Sequence, residues 1–150
     1  MQISQFVSYK EAIKSQTAER KGIDNQPDTE QTENMKYVAV NVFDKVRVAM
    51  GVPLTVSSFF RSPKLNKAIG GSPTSEHMEG CAIDIDHPNL NKKIFEYIRE
   101  NLNFSQLIWE FGDEASPAWV HVSLRKEGEN KKQVLIAYKD TKGKTKYKPY

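Results

Sequence analysis

Three short segments of this chain alternate apolar and polar residues strictly enough to fix which side chains share a face. In Cys81–Asp86, Ile83 and Ile85 want the core, which leaves Asp84 and Asp86 on the other side with Ala82. In Trp119–Leu124, Val120, Val122 and Leu124 take the core side, so Trp119, His121 and Ser123 face away. In Leu107–Phe111 the large apolar set is Leu107, Trp109 and Phe111, and Glu110 falls opposite them with Gln106 and Ile108. A period of two over such lengths reads as strands, and the Asp-, Glu-, Ser- and Pro-containing loop between the last two suggests a hairpin. If the three strands share a sheet, Asp84, Glu110 and His121 project from one polar surface.

The rest of the chain supplies the layers such a sheet needs. Ser8-Tyr9-Lys10-Glu11 reads as a capping box opening a short helix through about Ser15. Gln16–Asn34 is polar, carries Gly22, Asn25, Pro27 and Asp28, and reads as an irregular loop. Met35, Val38, Val42, Val46 and Ala49 recur at helical spacing until Gly51 and Pro53 stop them. Leu54–Phe60 reads as a strand. Ser62-Pro63 opens a helix that Gly70-Gly71 ends, and Leu90, Ile94, Tyr97 and Ile98 mark one face of a helix over Asn89–Glu100. Val134–Tyr138 is a last strand, and the tail 139–150, with five lysines and one aspartate, reads as a solvated, mobile end. The expected architecture is small α+β, a mainly antiparallel sheet with the helix over Met35–Met50 packed behind it. No repeat divides the 150 residues, so a single domain 1–150 is expected.

Composition narrows the chemistry. One cysteine, Cys81, excludes a disulfide scaffold and a zinc finger built on paired cysteines. Any metal must therefore draw on His77, His87, His121 and the carboxylates. No apolar run approaches the ~20 residues of a membrane span, and Met1–Ser15 lacks the apolar stretch of a signal peptide. The net charge of +3 is mild, and aromatics do not interleave with the lysines, so no nucleic-acid partner is expected. Two histidines and a carboxylate around one point suit a zinc ion with an open position, and a further carboxylate suits a general base. A polar sheet face turned to solvent gives the same alternation without a metal.

Longer motifs carry more. Ser57-Ser58-Phe59-Phe60-Arg61-Ser62-Pro63, Leu65-Asn66, Gly70-Gly71 and Ser75-Glu76-His77-Met78-Glu79-Gly80-Cys81-Ala82-Ile83-Asp84, followed by Trp119-Val120-His121, resemble the M15 family of zinc peptidases. Ser15–Asn25 and Trp109-Glu110-Phe111-Gly112 resemble a phage-associated branch of that family. The likeness runs from about Phe6 to about Leu124. It implies a fold like that of the D,D-peptidases and Hedgehog domains. It also implies one zinc ion held by His77, Asp84 and His121. Arg61 then steadies the substrate's carboxylate or carbonyl, as an arginine fork can, and Ser75 hydrogen-bonds near a terminal carboxylate. Trp119 lines the substrate groove or simply packs.

One departure stands out. Many family members carry the catalytic acid three residues before the last histidine ligand, where this chain has Ala118. Glu110 is the favoured replacement, ahead of Asp113 and Glu114 in the loop. Asp86 reads as an outer partner or an exposed strand end, His87 as a turn residue able to compete as a ligand, and Cys81 as a core thiol.

The resemblance implies hydrolysis of peptidoglycan stem peptides, by a D,D-carboxypeptidase or an endopeptidase cut. A zinc-containing wall-binding module without catalysis is the alternative. Synthesis in the cytoplasm and action at the bacterial cell wall, after release or within a phage particle, fit either case. A monomer is favoured.

Overall fold

The computed structural model describes Met1–Tyr150. Its helices are α1 (Tyr9–Ile13), α2 (Gln16–Lys21), α3 (Thr29–Val38), α4 (Asp44–Met50), α5 (Pro63–Ala68) and α6 (Asn91–Asn101). Its strands are β1 (Thr55–Ser58), β2 (Ala82–Asp86), β3 (Gln106–Glu110), β4 (Trp119–Ser123), β5 (Gln133–Lys139) and β6 (Thr145–Pro149). The strands form one sheet in the order β1-β2-β4-β3-β5-β6. All neighbours run antiparallel except β3 and β5. The fold is α+β, and β3 and β4 pair as a hairpin.

The register realises the alternation read from the residues. Asp84 lies opposite His121, and His121 opposite Ile108. Directly opposed residues share a face, so Asp84, His121, Ile108 and Glu110 rise from one side. Ile83, Ile85, Leu107, Val120 and Val122 are buried on the other, where they join a cluster with Phe43, Phe95 and Ile98. Helix α6 presents Ile94, Phe95 and Ile98 to this face, and the Phe95 ring meets Trp109 edge-on at 5.2 Å. The helices thus cover one face of the sheet, and the other is left for chemistry. No helix is long and apolar enough to cross a membrane.

Three stretches differ from the sequence reading. Gln16–Asn34 is not an irregular loop: it holds α2 and the first turns of α3. Each has a side-chain cap, Ser15 for α2 and a reciprocal Asp28–Gln31 pair for α3. The helix over Met35–Met50 starts earlier and widens into a π-type turn at Ala39–Phe43. The basic tail is not a free end. Asp140–Lys144 turns the chain, and β6 pairs with β5 from Leu135–Pro149 to Lys139–Thr145. Tyr150 packs against Phe95, with ring centres 4.9 Å apart.

Candidate metal centre

Each member of the centre is placed by a different local device. Ser75 caps a short turn of 3-10 helix, Glu76–Glu79, which carries His77. Gly80 ends that turn at φ 76°, where a Cβ would come 2.4 Å from the Gln31 carbonyl oxygen of α3. Asp84 sits mid-strand in β2 and His121 mid-strand in β4, facing each other across the ladder. The ligand atoms of His77, Asp84 and His121 all lie within 4.8 Å of one another.

The proton on His77 can be assigned. Its Nδ1 lies 2.6 Å from the Phe59 carbonyl oxygen, which only accepts, so Nδ1 donates. Burial holds this imidazole below the ordinary histidine pKa, against the pull of Asp84. Its Nε2 is therefore a bare lone pair. Nε2 is buried without a hydrogen-bond partner and points at Asp84 Oδ1, 3.3 Å away. A lone pair facing a carboxylate is repulsive unless a cation stands between them.

His121 Nδ1 lies 3.0 Å from the same oxygen. Burial opposes its charge, but the bond to Asp84 outweighs burial and raises its pKa. Burial would likewise raise Asp84, yet the hydrogen bond and charge of His121 hold it well below the usual carboxylate range. An edge of a tetrahedron with bonds of 2.0–2.1 Å is about 3.3 Å, close to both spacings. The donor set of two imidazole nitrogens and one carboxylate oxygen thus fits a zinc ion with a position left open.

The centre lies in a groove of about 1200 Å³ along the open sheet face. Arg61, Ser75, Glu110 and Trp119 all line it. Arg61 Nη2 is 3.6 Å from Asp84 Oδ2, while Nε donates to Ser58 Oγ and Nη1 to Asn66 Oδ1, each at 3.2 Å. Burial pulls the Arg61 pKa down, and Asp84 and Glu110 offset part of that. Ser75 Oγ accepts from the His77 N–H at 3.3 Å, so its own hydrogen is free for a ligand.

Glu110 ends β3 and is 7% exposed. Burial, aided by the Asp84 charge and opposed by His121 and Arg61, pushes its carboxyl up to about 7. A carboxyl poised there can take and return a proton at neutral pH. Phe111 follows it at φ 56°, strained for a residue with a side chain, and stacks 5.5 Å from Trp119.

The other candidates fall elsewhere. Asp113 Oδ1 accepts from the Ala115 and Ser116 N–H groups, and neither it nor Glu114 lines the groove. Asp86 accepts from Asn91 at 2.7 Å, and His87 Nδ1 from the Asn89 N–H at 3.0 Å. The buried Cys81 thiol is pushed up to about 11, chiefly by desolvation. Ala118 is exposed, and its N–H donates to the Glu110 carbonyl at 2.8 Å.

Three supporting residues had no role assigned from the sequence. Asn25 accepts from the Ser62 N–H at 2.7 Å and donates to the Ile13 and Phe60 carbonyls, so it anchors the chain on both sides of Arg61. Asn66 holds Arg61 and in turn donates to the Ser72 carbonyl at 2.8 Å. Tyr147, on β6, lines the groove, and its phenol is pushed up by burial and by Glu110 and Asp84. The alternation in Thr145–Pro149 after a turn at Asp140–Gly143 was the available signal for it.

Gly71 explains a spacing. A Cβ there would stand 2.1 Å from Asn66 Oδ1 and 3.0 Å from Arg61 Nη1. Gly71→Ala is therefore expected to push Asn66 off Arg61. The expected result is a loss of stability of about 2 kcal/mol, the order of one charge-assisted hydrogen bond. Denaturant unfolding checks it, and an unchanged midpoint contradicts it.

Two imidazoles, a carboxylate, a buried acid and a fixed arginine on the wall of one groove suit a mononuclear metal-dependent hydrolase. The family model described as Peptidase M15 matches residues 5–123, and the chain belongs to that family. No curated protein is significantly similar to the chain.

Proposed function

We propose that this protein is a zinc-dependent peptidase that hydrolyses peptide bonds of peptidoglycan stem peptides in cell-wall degradation, as a phage or prophage product. The observation that carries the reading is the bare His77 Nε2 aimed at Asp84 in the wall of a long groove. Family membership supports peptide hydrolysis, and the motif resemblance supports the wall peptide as substrate.

His77, Asp84 and His121 would hold the ion. When bound, zinc supplies Lewis acidity that makes a water acidic enough to give up its proton near pH 7. Glu110 would take a proton from the attacking water and return it to the leaving amine, a role its raised pKa favours. Arg61 binds the substrate's carboxylate or carbonyl and offsets charge that develops on that oxygen. Ser75 donates its free hydroxyl hydrogen to the peptide. Trp119, braced by Phe111, forms one wall of the groove.

Purified peptidoglycan is expected to release free amines with the zinc-loaded protein, to release none after chelation, and to do so again when zinc is restored. Activity that survives chelation contradicts the reading. Ala118, where an acid is usual, favours the second reading of a wall-binding module. Zinc and wall fragments bound without any hydrolysis would establish that one.

A further inference from the structure

Residues 124–150 lie beyond the family match, yet they build one side of the groove. The β5–β6 hairpin occupies the sheet edge away from β1, so it faces Arg61 across the metal centre. Its register sets what it presents. Glu110 pairs with Ala137, and Ala137 with Tyr147, which puts Tyr147 on the same face as Glu110 with only a methyl group between them. One row further along, Lys139 pairs with Thr145 on that same face.

Lys139 is held rather than loose. Its ammonium donates to Thr145 Oγ1 at 2.6 Å and sits 5.1 Å from the centre of the Phe111 ring. No carboxylate lies within salt-bridge distance of it. The groove's arginines differ: Arg61 is paired with Asp84, and Arg125 with Glu76 at 3.1 Å and Glu79 at 2.7 Å. Lys131 and Lys144 add two further cations without a salt bridge to this side, where Glu129 is the one acid. The Tyr147 hydroxyl makes no hydrogen bond within the protein. An ordered ammonium beside a free phenolic donor matches a carboxylate, which accepts from both.

We propose that Lys139 and Tyr147 form a subsite for a carboxylate of the bound peptide, on the side of the groove opposite Arg61. The subsite rests on the peptide-substrate reading and makes the hairpin a specificity element of that site. The peptide it favours carries a free acid besides the group that Arg61 holds, and amidation of that acid weakens binding.

The test uses two synthetic stem peptides, identical except that the α-carboxyl of the γ-linked glutamate is free in one and an amide in the other. Binding is measured by calorimetry on the zinc-loaded Glu110→Gln protein, in which hydrolysis is slowed. At about 20 mM salt the free acid is expected to bind about tenfold more tightly than the amide. Lys139→Met in the same background should bring that ratio close to one, and Tyr147→Phe should lower it about threefold. Lys146→Met, on the opposite face of the hairpin opposite Tyr138, should leave the ratio unchanged. A ratio near one in the parent protein, or one that survives Lys139→Met, overturns the subsite. Hydrolysis of the same two peptides by the wild-type protein reports separately on the peptidase reading. If neither is cut while the binding preference holds, that reading fails and the subsite stands.

Discussion

Replacing His121 with alanine is expected to abolish zinc retention at micromolar free metal and to lower peptide hydrolysis on the order of a thousandfold. The size follows from what the residue contributes. Lewis-acid assistance is worth several kcal/mol of barrier, and each 1.36 kcal/mol is tenfold in rate. Two donors remain in the variant, His77 Nε2 and Asp84, too few to close a stable site on their own. Asp84 also loses its 3.0 Å partner while still buried, so the metal-free variant should unfold more readily than wild type. His77→Ala should lose zinc equally but differ in one respect. It also removes the 2.6 Å bond to the Phe59 carbonyl, which ties the 3-10 turn to the segment leading to Arg61. Metal content after gel filtration checks both variants. Full zinc occupancy in either contradicts the assignment.

The second large effect is a trade between activity and stability at Glu110. Glu110→Gln keeps the shape of the side chain and removes its ability to carry a proton. The expected loss in kcat is between a hundredfold and ten-thousandfold, roughly the range for a general base. The same substitution should stabilise the metal-free protein at alkaline pH. The Glu110 pKa is raised on folding, from 4.5 to about 7. The folded state thus binds the extra proton, and stability falls as pH rises from 4.5 to 7. Above that window the wild-type fold bears the full cost of a buried carboxylate, up to about 3 kcal/mol. Glutamine bears none. Melting curves of the metal-free proteins should show the variant several degrees more stable at about pH 8. The gap should close towards about pH 4.5. A gap that does not depend on pH rules out ionisation of Glu110 as its source.

The shared face of Asp84, Glu110 and His121 could be read from residues alone because β-strands report their faces directly, whereas the role of His77 came from the motif resemblance. Ile83 and Ile85 are both buried, so Asp84 had only one side to occupy, and the same logic placed His121 between Val120 and Val122. The hairpin of β3 and β4 then fixed Glu110 on the face it shares with His121. With three histidines in the chain, few donor sets were possible.

What escaped the reading was structure without a hydrophobic period. Helix α2 buries only Ala18, so its marks were confined to its ends, the Ser15 cap and Gly22 after basic Arg20 and Lys21. Strand β6 is exposed along most of its length, and its lysines resemble a solvated tail until a turn folds it onto β5. The support for Arg61 was illegible for a different reason. It depends on buried amides at Asn25 and Asn66 reaching across the fold, and on a missing Cβ at Gly71, none of which leaves a periodic trace.

Zinc-dependent hydrolysis of a purified stem pentapeptide can be followed by mass spectrometry of its products. Three samples suffice: the zinc-loaded protein, the metal-free protein and the His121→Ala variant. The expected result is a single new cleavage, absent from the latter two samples. Loss of the terminal residue would mark a carboxypeptidase, and an internal cut an endopeptidase. An intact peptide with the zinc-loaded protein, or the same cleavage in all three samples, would contradict it.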